Sequence, residues 1–138
     1  MAQTKLSTGI LVRDSESSNA HIDVGNLSSV AKKVKVEVFD WGVDQLWDKP
    51  KPVPVSPSEA ITVGPHTLRS FIALITQSTA QPTLNLAHYE VRVTVSSTTN
   101  IVVNCFAING NGKGSDREHG AASRPGQNRV ARTNWARA

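Results

Sequence analysis

The sequence has very few of the residues that build disulfides, metal sites and aromatic cores. Cys105 is the one cysteine among 138 residues, which excludes an intramolecular disulfide and a cysteine-rich metal site. Aromatic residues make up 5% of the chain, so Val, Ile and Leu must fill the core. No apolar run reaches the roughly 18 residues of a membrane span, and the N-terminal segment lacks the apolar core of a secretory signal. We therefore expect a protein made in the cytoplasm without a signal peptide and without a membrane partner.

The chain also lacks the motifs of common enzymes. There is no Gly-x-Ser-x-Gly motif, and GNGKGS (110–115) fails the spacing of a phosphate-binding loop. The pairs His21/Asp23 and His88/Glu90 each share a strand face, but solvated strand faces have the same pattern. We expect no enzyme activity, no catalytic residue, no cofactor and no metal.

Apolar and polar residues alternate along much of the sequence, which gives it a period of two. KVKVEVF (33–39) and HYEVRVTV (88–95) alternate apolar and polar residues, as half-buried strands do. Other short apolar runs, separated by turn residues, lie at 5–12, 21–27, 61–63, 67–75 and 101–108. The pattern predicts an all-β protein: an antiparallel β-sandwich, jelly-roll or immunoglobulin-like, of about seven to eight strands, with an extended C-terminal arm.

Three connecting segments allow finer predictions. The short linker SSTTN (96–100) predicts a hairpin between 88–95 and 101–108. The four prolines of KPKPVPVSP (49–57) exclude a central strand and suit a crossover between the two sheets. DWGVDQLW (40–47) is the best candidate for a short helix.

Charge divides the chain into a neutral body and a basic end. Residues 1–112 carry nine basic and nine acidic residues, so the net charge of +4 resides in 113–138. We expect a β-sandwich domain over 1–108, a glycine-rich hinge over 109–120 and a basic C-terminal arm over 121–138.

The C-terminal arm contains the predicted subunit-docking residues. These are Arg124, Arg129, Val130, Arg132 and Trp135. An apolar and an aromatic anchor among arginines suit docking on another subunit, with carboxylates as partners for the arginines. Two alternatives stay open: a disordered tail, and an arm that binds nucleic acid, for which this spacing of arginines is sparse.

Two tryptophans mark a second candidate site. Trp41 and Trp47 flank GVDQL near several aspartates. This arrangement suits a carbohydrate-binding platform, in which the indole rings stack on a sugar ring and the carboxylates bond its hydroxyls. Two alternatives are rings that close one end of the sandwich and a ring that contacts a neighbouring subunit.

Three strand segments carry a resemblance to a known group of proteins. KVKVEVFDWG, HYEVRVTV and NIVVNCFAING, in this order, resemble small β-sandwich proteins of the spore surface and endospore appendages of Gram-positive spore formers. The resemblance implies assembly on a spore or particle surface. Appendage subunits usually carry N-terminal cysteines that cross-link neighbours, and this chain has none before Cys105.

Together these features predict a non-enzymatic structural subunit. We expect it to self-assemble with copies of itself into a filament, shell or surface layer, with the C-terminal arm docked on a neighbouring subunit. The alternatives are a carbohydrate-binding module that uses Trp41 and Trp47, and a coat protein whose basic arm binds nucleic acid.

Overall fold

Two antiparallel β-sheets pack face to face in a computed structural model that describes residues 3–43, 49–79, 81–109 and 136–137. The predicted all-β sandwich is confirmed. The strands are β1 (Thr4–Ser7), β2 (Leu11–Val12), β3 (Ser17–Asn26), β4 (Lys32–Gly42), β5 (Lys51–Val53), β6 (Val55–Ser56), β7 (Ile61–Val63), β8 (Thr67–Leu74), β9 (His88–Val95), β10 (Ile101–Asn109) and β11 (Ala136–Arg137). These are more strands than predicted, because the run 5–12 is divided at Gly9 and three short strands were not foreseen.

Successive long strands alternate between the sheets. Sheet A has the order β11-β1-β9-β4-β5, with β2 also on β9 and β7 also on β4. Sheet B has the order β10-β3-β8-β6. An immunoglobulin domain instead places consecutive strands such as F and G side by side in one sheet, so the alternation of β8, β9 and β10 departs from that arrangement.

The predicted hairpin between β9 and β10 is therefore wrong. β9 pairs with β1 and β4 in sheet A, whereas β10 pairs with β3 in sheet B. The linker 96–100 crosses from one sheet to the other. Asn100 takes a left-handed conformation there, with φ of 58°, and its carbonyl accepts a hydrogen bond of 2.9 Å from Leu27 N–H. A short linker can turn a chain across the sandwich as well as back along one sheet.

The proline-rich connection crosses between the sheets, as predicted. β5 lies at the edge of sheet A beside β4, and β6 lies at the edge of sheet B beside β8. Pro52 falls on the edge strand β5, where a missing N–H breaks no ladder. The helix predicted over 40–47 is wrong for residues 40–42, which end β4, and residues 44–48 lie outside the described part of the chain.

The core is aliphatic, as the shortage of aromatic residues required. Every second residue of the long strands points inward, in agreement with the period of two. The largest fully buried side chains include Tyr89, Phe71, Ile22, Ile75 and Leu86, among many valines. Cys105 is buried on the inward face of β10 with 1% exposure, as its apolar neighbours indicated.

Asn26 holds one end of the sandwich together. Its fully buried side chain donates to the carbonyls of Val30, Val63 and Gly64 at 2.8, 3.1 and 3.1 Å. Its Oδ1 accepts from the backbone N–H and the hydroxyl of Ser28 at 3.0 and 2.7 Å. One amide thus fixes the turn after β3 to the turn between β7 and β8.

Candidate functional site

The outer face of sheet A holds a buried carboxylate, in what we call the Glu90 cluster: Ser7, Trp41, Glu90 and Arg92. Glu90 points away from the core, yet it is only 6% exposed. Trp41 Nε1 donates to its Oε1 at 2.9 Å, and the Ser7 hydroxyl donates to its Oε2. Arg92 Nε and Nη2 donate to Oε2 and Oε1 at 3.0 and 3.1 Å, which is a bidentate pair.

Local chain geometry places each member of the cluster. Ser7 ends β1, and its Oγ also accepts from Gly9 N–H at 2.9 Å, where Gly9 has φ of 72°. Trp41 lies on the outward side of β4, next to the strand β9 that carries Glu90 and Arg92. Three strands therefore supply donors to one carboxylate.

The hydrogen bonds decide the charge of the cluster. Burial raises the pKa of Glu90, but hydrogen bonds from Arg92, Ser7 and Trp41 and the charge of Arg92 outweigh it and leave the pKa below its ordinary value. The hydrogen bond to Glu90 raises the pKa of Arg92, against the effect of burial and with help from the charges of Glu90 and Glu37. Glu90 is thus an ionised acceptor whose hydrogen-bond donors come from three strands.

An aromatic ring completes the cluster. The guanidinium carbon of Arg92 lies 4.5 Å from the ring centroid of Phe39, which is a cation–π contact. Arg92 also faces Glu37 across the strands β4 and β9. Trp41 is half-buried with its indole N–H already bonded, so it offers a ligand one partly exposed ring and not its hydrogen-bond donor.

The outer face of sheet B has a different character, and we call it the sheet B face. Leu68, Ile72 and Leu74 of β8 and Val102 of β10 point outward with exposures of 61%, 43%, 60% and 44%. Phe106 and Ile108, on the same side of β10, are half-buried. The outward positions of β4 in sheet A are by contrast mainly Lys33, Lys35 and Glu37, as is usual for an antiparallel sheet with one solvated face.

A polar row along β3 divides the sheet B face. Asn19, His21 and Asp23 lie between the apolar side chains of β8 and β10. His21 Nε2 is 3.5 Å from Asp23 Oδ1, which also accepts from the Ser70 hydroxyl at 2.6 Å. The ring of His21 stacks on Phe106 with 5.0 Å between centroids and 7° between planes.

At one end of the face, a glycine of β3 places no side chain between the two apolar rows. Gly25 pairs with Leu68 on one side and Val102 on the other. A side chain there would contact Leu68 Cδ1 and the Val102 carbonyl, both at 3.9 Å. The rows therefore form an apolar surface around the polar row.

Most of the predicted site residues cannot be compared with the fold. Arg124, Arg129, Val130, Arg132 and Trp135 of the arm, together with Trp47, lie outside the described residues. β10 extends one residue into the predicted hinge, to Asn109. Near the chain end, Ala136–Arg137 pairs with β1 of the same chain, opposite Ser7 and Leu6.

The two histidine pairs share a strand face as predicted, but they belong to different sheets. His21 and Asp23 lie in sheet B, while His88 and Glu90 lie in sheet A, where His88 Nδ1 is 2.9 Å from the Gly42 carbonyl. Within the described ranges, no three His, Cys, Asp or Glu residues are grouped so as to hold a metal ion. Those ranges also contain no helix of the length and apolar character that crosses a bilayer.

Comparison with known proteins gives no family. No family model and no curated protein matches the chain. Among solved structures, the chain is similar to a sensory rhodopsin transducer from Anabaena, with a TM-score of 0.40 and 13% identity over 75% of this chain and 94% of that one. It is also similar to the Thermotoga maritima protein 1070, with a TM-score of 0.43 and 10% identity over 77% of this chain and 80% of that one.

Proposed function

We propose that this protein is a non-enzymatic structural subunit that associates with copies of itself through the sheet B face. The observation that supports the proposal is the set of exposed Leu68, Ile72, Leu74 and Val102 on one side of one sheet. In the proposal this group of apolar side chains on one face of a sheet is an interaction surface.

The arrangement of the face suits a second copy as the partner. The rows of β8 and β10 are mainly apolar, with Ser70 and Asn104 as exceptions, and the row of β3 between them is polar. A two-fold axis in the contact plane therefore sets the polar row on its copy and the mainly apolar rows on each other. When the axis runs across the strands at the level of Ile22, His21 of one copy lies opposite Asp23 of the other. No Lys or Arg occupies the outward positions of these three rows, so the face offers no cation to a polyanion such as nucleic acid.

The area of the face indicates a weak contact. Three strands about 4.8 Å apart, each about eight residues long at about 3.3 Å per residue, cover roughly 400 Å². Two copies face to face then bury roughly 800 Å², below the roughly 1,200 Å² at which stable interfaces begin. A pair held by this face alone forms and dissociates readily, and a lasting assembly needs a second contact.

The larger assembly belongs to the same proposal. Subunits that self-associate on more than one surface build a filament, shell or surface layer, on a spore or another particle. In the proposal the part of the C-terminal arm before β11, with Arg124, Arg129, Val130, Arg132 and Trp135, docks on a neighbouring subunit, while Ala136–Arg137 pairs with β1 of its own chain. One property supports this: residues 1–112 have no net charge, whereas the last 26 residues carry +4.

Charged substitutions on the sheet B face test the proposal. The double variant L68K/L74K puts two like charges into each copy of the contact, and we expect the mass of the assembly to fall in sedimentation velocity. The matched control variant is S58K/T62K, which adds two lysines at exposed positions, one on β7 of sheet A and one in the loop before that strand.

The comparison separates a contact through the face from a general effect of charge. The control is expected to sediment like the unmodified chain. Equal masses for L68K/L74K and the unmodified chain at every concentration would show that the sheet B face is not the contact. Circular dichroism of both variants checks that the fold is retained.

A further inference from the structure

Sheet A has a gap along the side of β4 that faces away from β9. β5 pairs with residues 38–40 of β4, and β7 pairs with residues 32–34. Within the described ranges, no strand pairs on this side with residues 35–37 between them. The chain leaves sheet A there, because β6 joins the edge of sheet B. A cavity of about 310 Å³ lies at the gap, between β4 and the segment 52–58.

The backbone groups of β4 that face the gap can be identified. Ser96, which follows β9, donates its N–H to the Lys33 carbonyl at 3.0 Å, so Lys33 directs its backbone groups towards β9. Successive residues of a strand direct their N–H and C=O groups to alternate sides, so Lys35 and Glu37 also direct theirs towards β9. Val36 therefore directs its N–H and C=O into the gap, although its side chain is buried in the core.

Opposite charges flank Val36 at the mouth of the cavity. Lys35 and Glu37 lie on the outer face of sheet A, and both line the cavity. Lys35 precedes Val36 and so adjoins its N–H, whereas Glu37 follows Val36 and adjoins its C=O. Glu37 lies opposite Arg92 across β4 and β9. Lys35 is exposed, and in the described part of the chain no carboxylate forms an ion pair with it. The Lys35 end of the gap therefore suits an anion.

The other end of the cavity is apolar. Phe39, Pro52 and Pro54 line it there, and Phe39 lies directly opposite Pro52 across β4 and β5. The guanidinium carbon of Arg92 lies 4.5 Å from the centroid of the Phe39 ring, and this contact orients the ring. The cavity thus offers a cation, a backbone donor, a backbone acceptor and an apolar wall, in this order from Lys35 to Phe39.

The gap is too short for an added peptide strand. From Val34 to Val38 the backbone of β4 covers about 14 Å, at about 3.4 Å per residue. β5 and β7 already pair with β4 at these two positions, through Val53 and Ile61. A strand added between them would run into one or the other, so the space suits about one residue. The volume of 310 Å³ is also at the lower end of the roughly 300–1,000 Å³ of ligand pockets, which indicates a small molecule.

We propose that the gap binds an N-acyl amino acid, a small molecule with a carboxylate, a neighbouring amide N–H and an apolar acyl group. The carboxylate accepts from Val36 N–H beside Lys35, and the ligand N–H donates to the Val36 carbonyl. The acyl group packs against Phe39, Pro52 and Pro54. The ligand runs antiparallel to β4, as β5 and β7 do, and takes the place of the missing edge residue.

Glycine is the amino acid that fits this position. Residues directly opposite each other in an antiparallel pair direct their side chains to the same face. A side chain on the bound residue would therefore point inward with that of Val36, where Val55 is buried and lines the cavity. The ligand class is thus the N-acylglycines, and N-benzoylglycine is the probe for it. The site lies in sheet A, so it adds a binding function that does not depend on the sheet B face.

Amide NMR of the full-length chain during titration with N-benzoylglycine tests the site. We expect the Val36 amide signal to shift and to saturate, because its N–H gains a carboxylate acceptor. The same titration of L68K/L74K should give the same affinity, since that variant changes the other sheet. A Val36 signal that stays unchanged throughout the titration would overturn the proposal, and so would a loss of affinity in L68K/L74K.

Three analogues of the probe test its three groups. N-benzoyl-N-methylglycine lacks the N–H, N-benzoylglycinamide lacks the carboxylate and glycine lacks the acyl group. We expect each analogue to bind at least about twofold more weakly than N-benzoylglycine, since each loses a hydrogen bond, a charge or an apolar contact. An analogue that binds as tightly as N-benzoylglycine would contradict the proposal.

Lys35→Gln tests the cation, with Lys33→Gln as the matched control. Lys33 lies on the same outer side of β4, but β7 pairs with it, outside the gap. We expect K35Q to weaken the binding of N-benzoylglycine about two- to fivefold, the effect of one exposed ion pair, and K33Q to leave it unchanged. Equal weakening in the two variants would show that general positive charge attracts the probe, and the proposed site would be wrong.

Discussion

Trp41 Nε1 and Glu90 Oε1 are 2.9 Å apart and join the outer sides of strands β4 and β9. The two residues are 49 positions apart in the chain. Glu90 receives this bond together with those of Ser7 and Arg92 while it is almost fully buried. The Glu90 cluster thus ties β1, β4 and β9 together on the solvent side of sheet A, where no core packing does so.

Replacing Trp41 by Phe should lower the free energy of unfolding by about 1.5–3 kcal/mol, because a hydrogen bond to a charged acceptor is lost while an aromatic ring remains. Urea denaturation measures the change. In the E90Q background the same substitution should cost less, since the acceptor no longer carries a charge. Equal costs in both backgrounds would show that the bond to the carboxylate does not stabilise the fold.

The stability of the protein should depend on the ionisation of Glu90. Its folded pKa lies below the ordinary value of 4.5, so its contribution is complete above pH 4.5 and is lost as the pH falls through the folded pKa. The difference in unfolding free energy between the unmodified chain and E90Q should therefore shrink on acidification below that value. A difference that stays constant from neutral to acidic pH would contradict the account of the cluster.

Asn26 should tolerate neither a smaller nor a charged replacement. Asn26→Ala leaves the carbonyls of Val30, Val63 and Gly64 without their amide donor. Of these three bonds only the one to Val63 is fully buried, so we expect a loss of about 1–3 kcal/mol, the cost of one buried unsatisfied group. Asn26→Asp has the same shape but sets a carboxylate against those carbonyls, so it should destabilise at neutral pH and less at acidic pH. Thermal unfolding at both pH values measures this. A neutral-pH stability of N26D near that of the unmodified chain would show that the hydrogen bonds of the Asn26 amide do not stabilise the fold.

Substitutions at two positions of β8, one facing inward and one facing outward, should distinguish effects on folding stability from effects on association. Phe71 points inward with 0% exposure, and Phe71→Ala should cost about 3–5 kcal/mol of folding stability. Leu74 points outward, and Leu74→Ala should change the stability of the monomer by less than about 0.5 kcal/mol while weakening association. Urea denaturation in dilute solution and sedimentation at high concentration measure the two effects. A large loss of monomer stability in L74A would mean that the sheet B face is already covered within one chain.

The alternating valines allowed most strands to be predicted from the sequence. The run 88–95 coincides with β9, and 33–39 lies within β4. The inward side of β10 was also predicted, because Asn104 marks the outward side. These predictions succeeded because a period of two is a local property of the chain.

Long-range pairing could not be predicted in the same way. The linker 96–100 gave no sign that it crosses between sheets, and the hairpin prediction failed for that reason. The Glu90 cluster was missed because Ser7 and Glu90 are 83 positions apart and meet only through the strand order. One local signal was present: Glu90 and Arg92 are two residues apart, so they lie on the same side of a strand.

Sedimentation equilibrium of the full-length chain over a wide range of concentration tests the central claim, self-association, most directly. The account predicts a weight-average mass that rises from the 14.8 kDa of the monomer as concentration increases. It also predicts a larger rise in sulfate, which strengthens apolar burial. A mass of 14.8 kDa at every concentration, with and without sulfate, would contradict the claim.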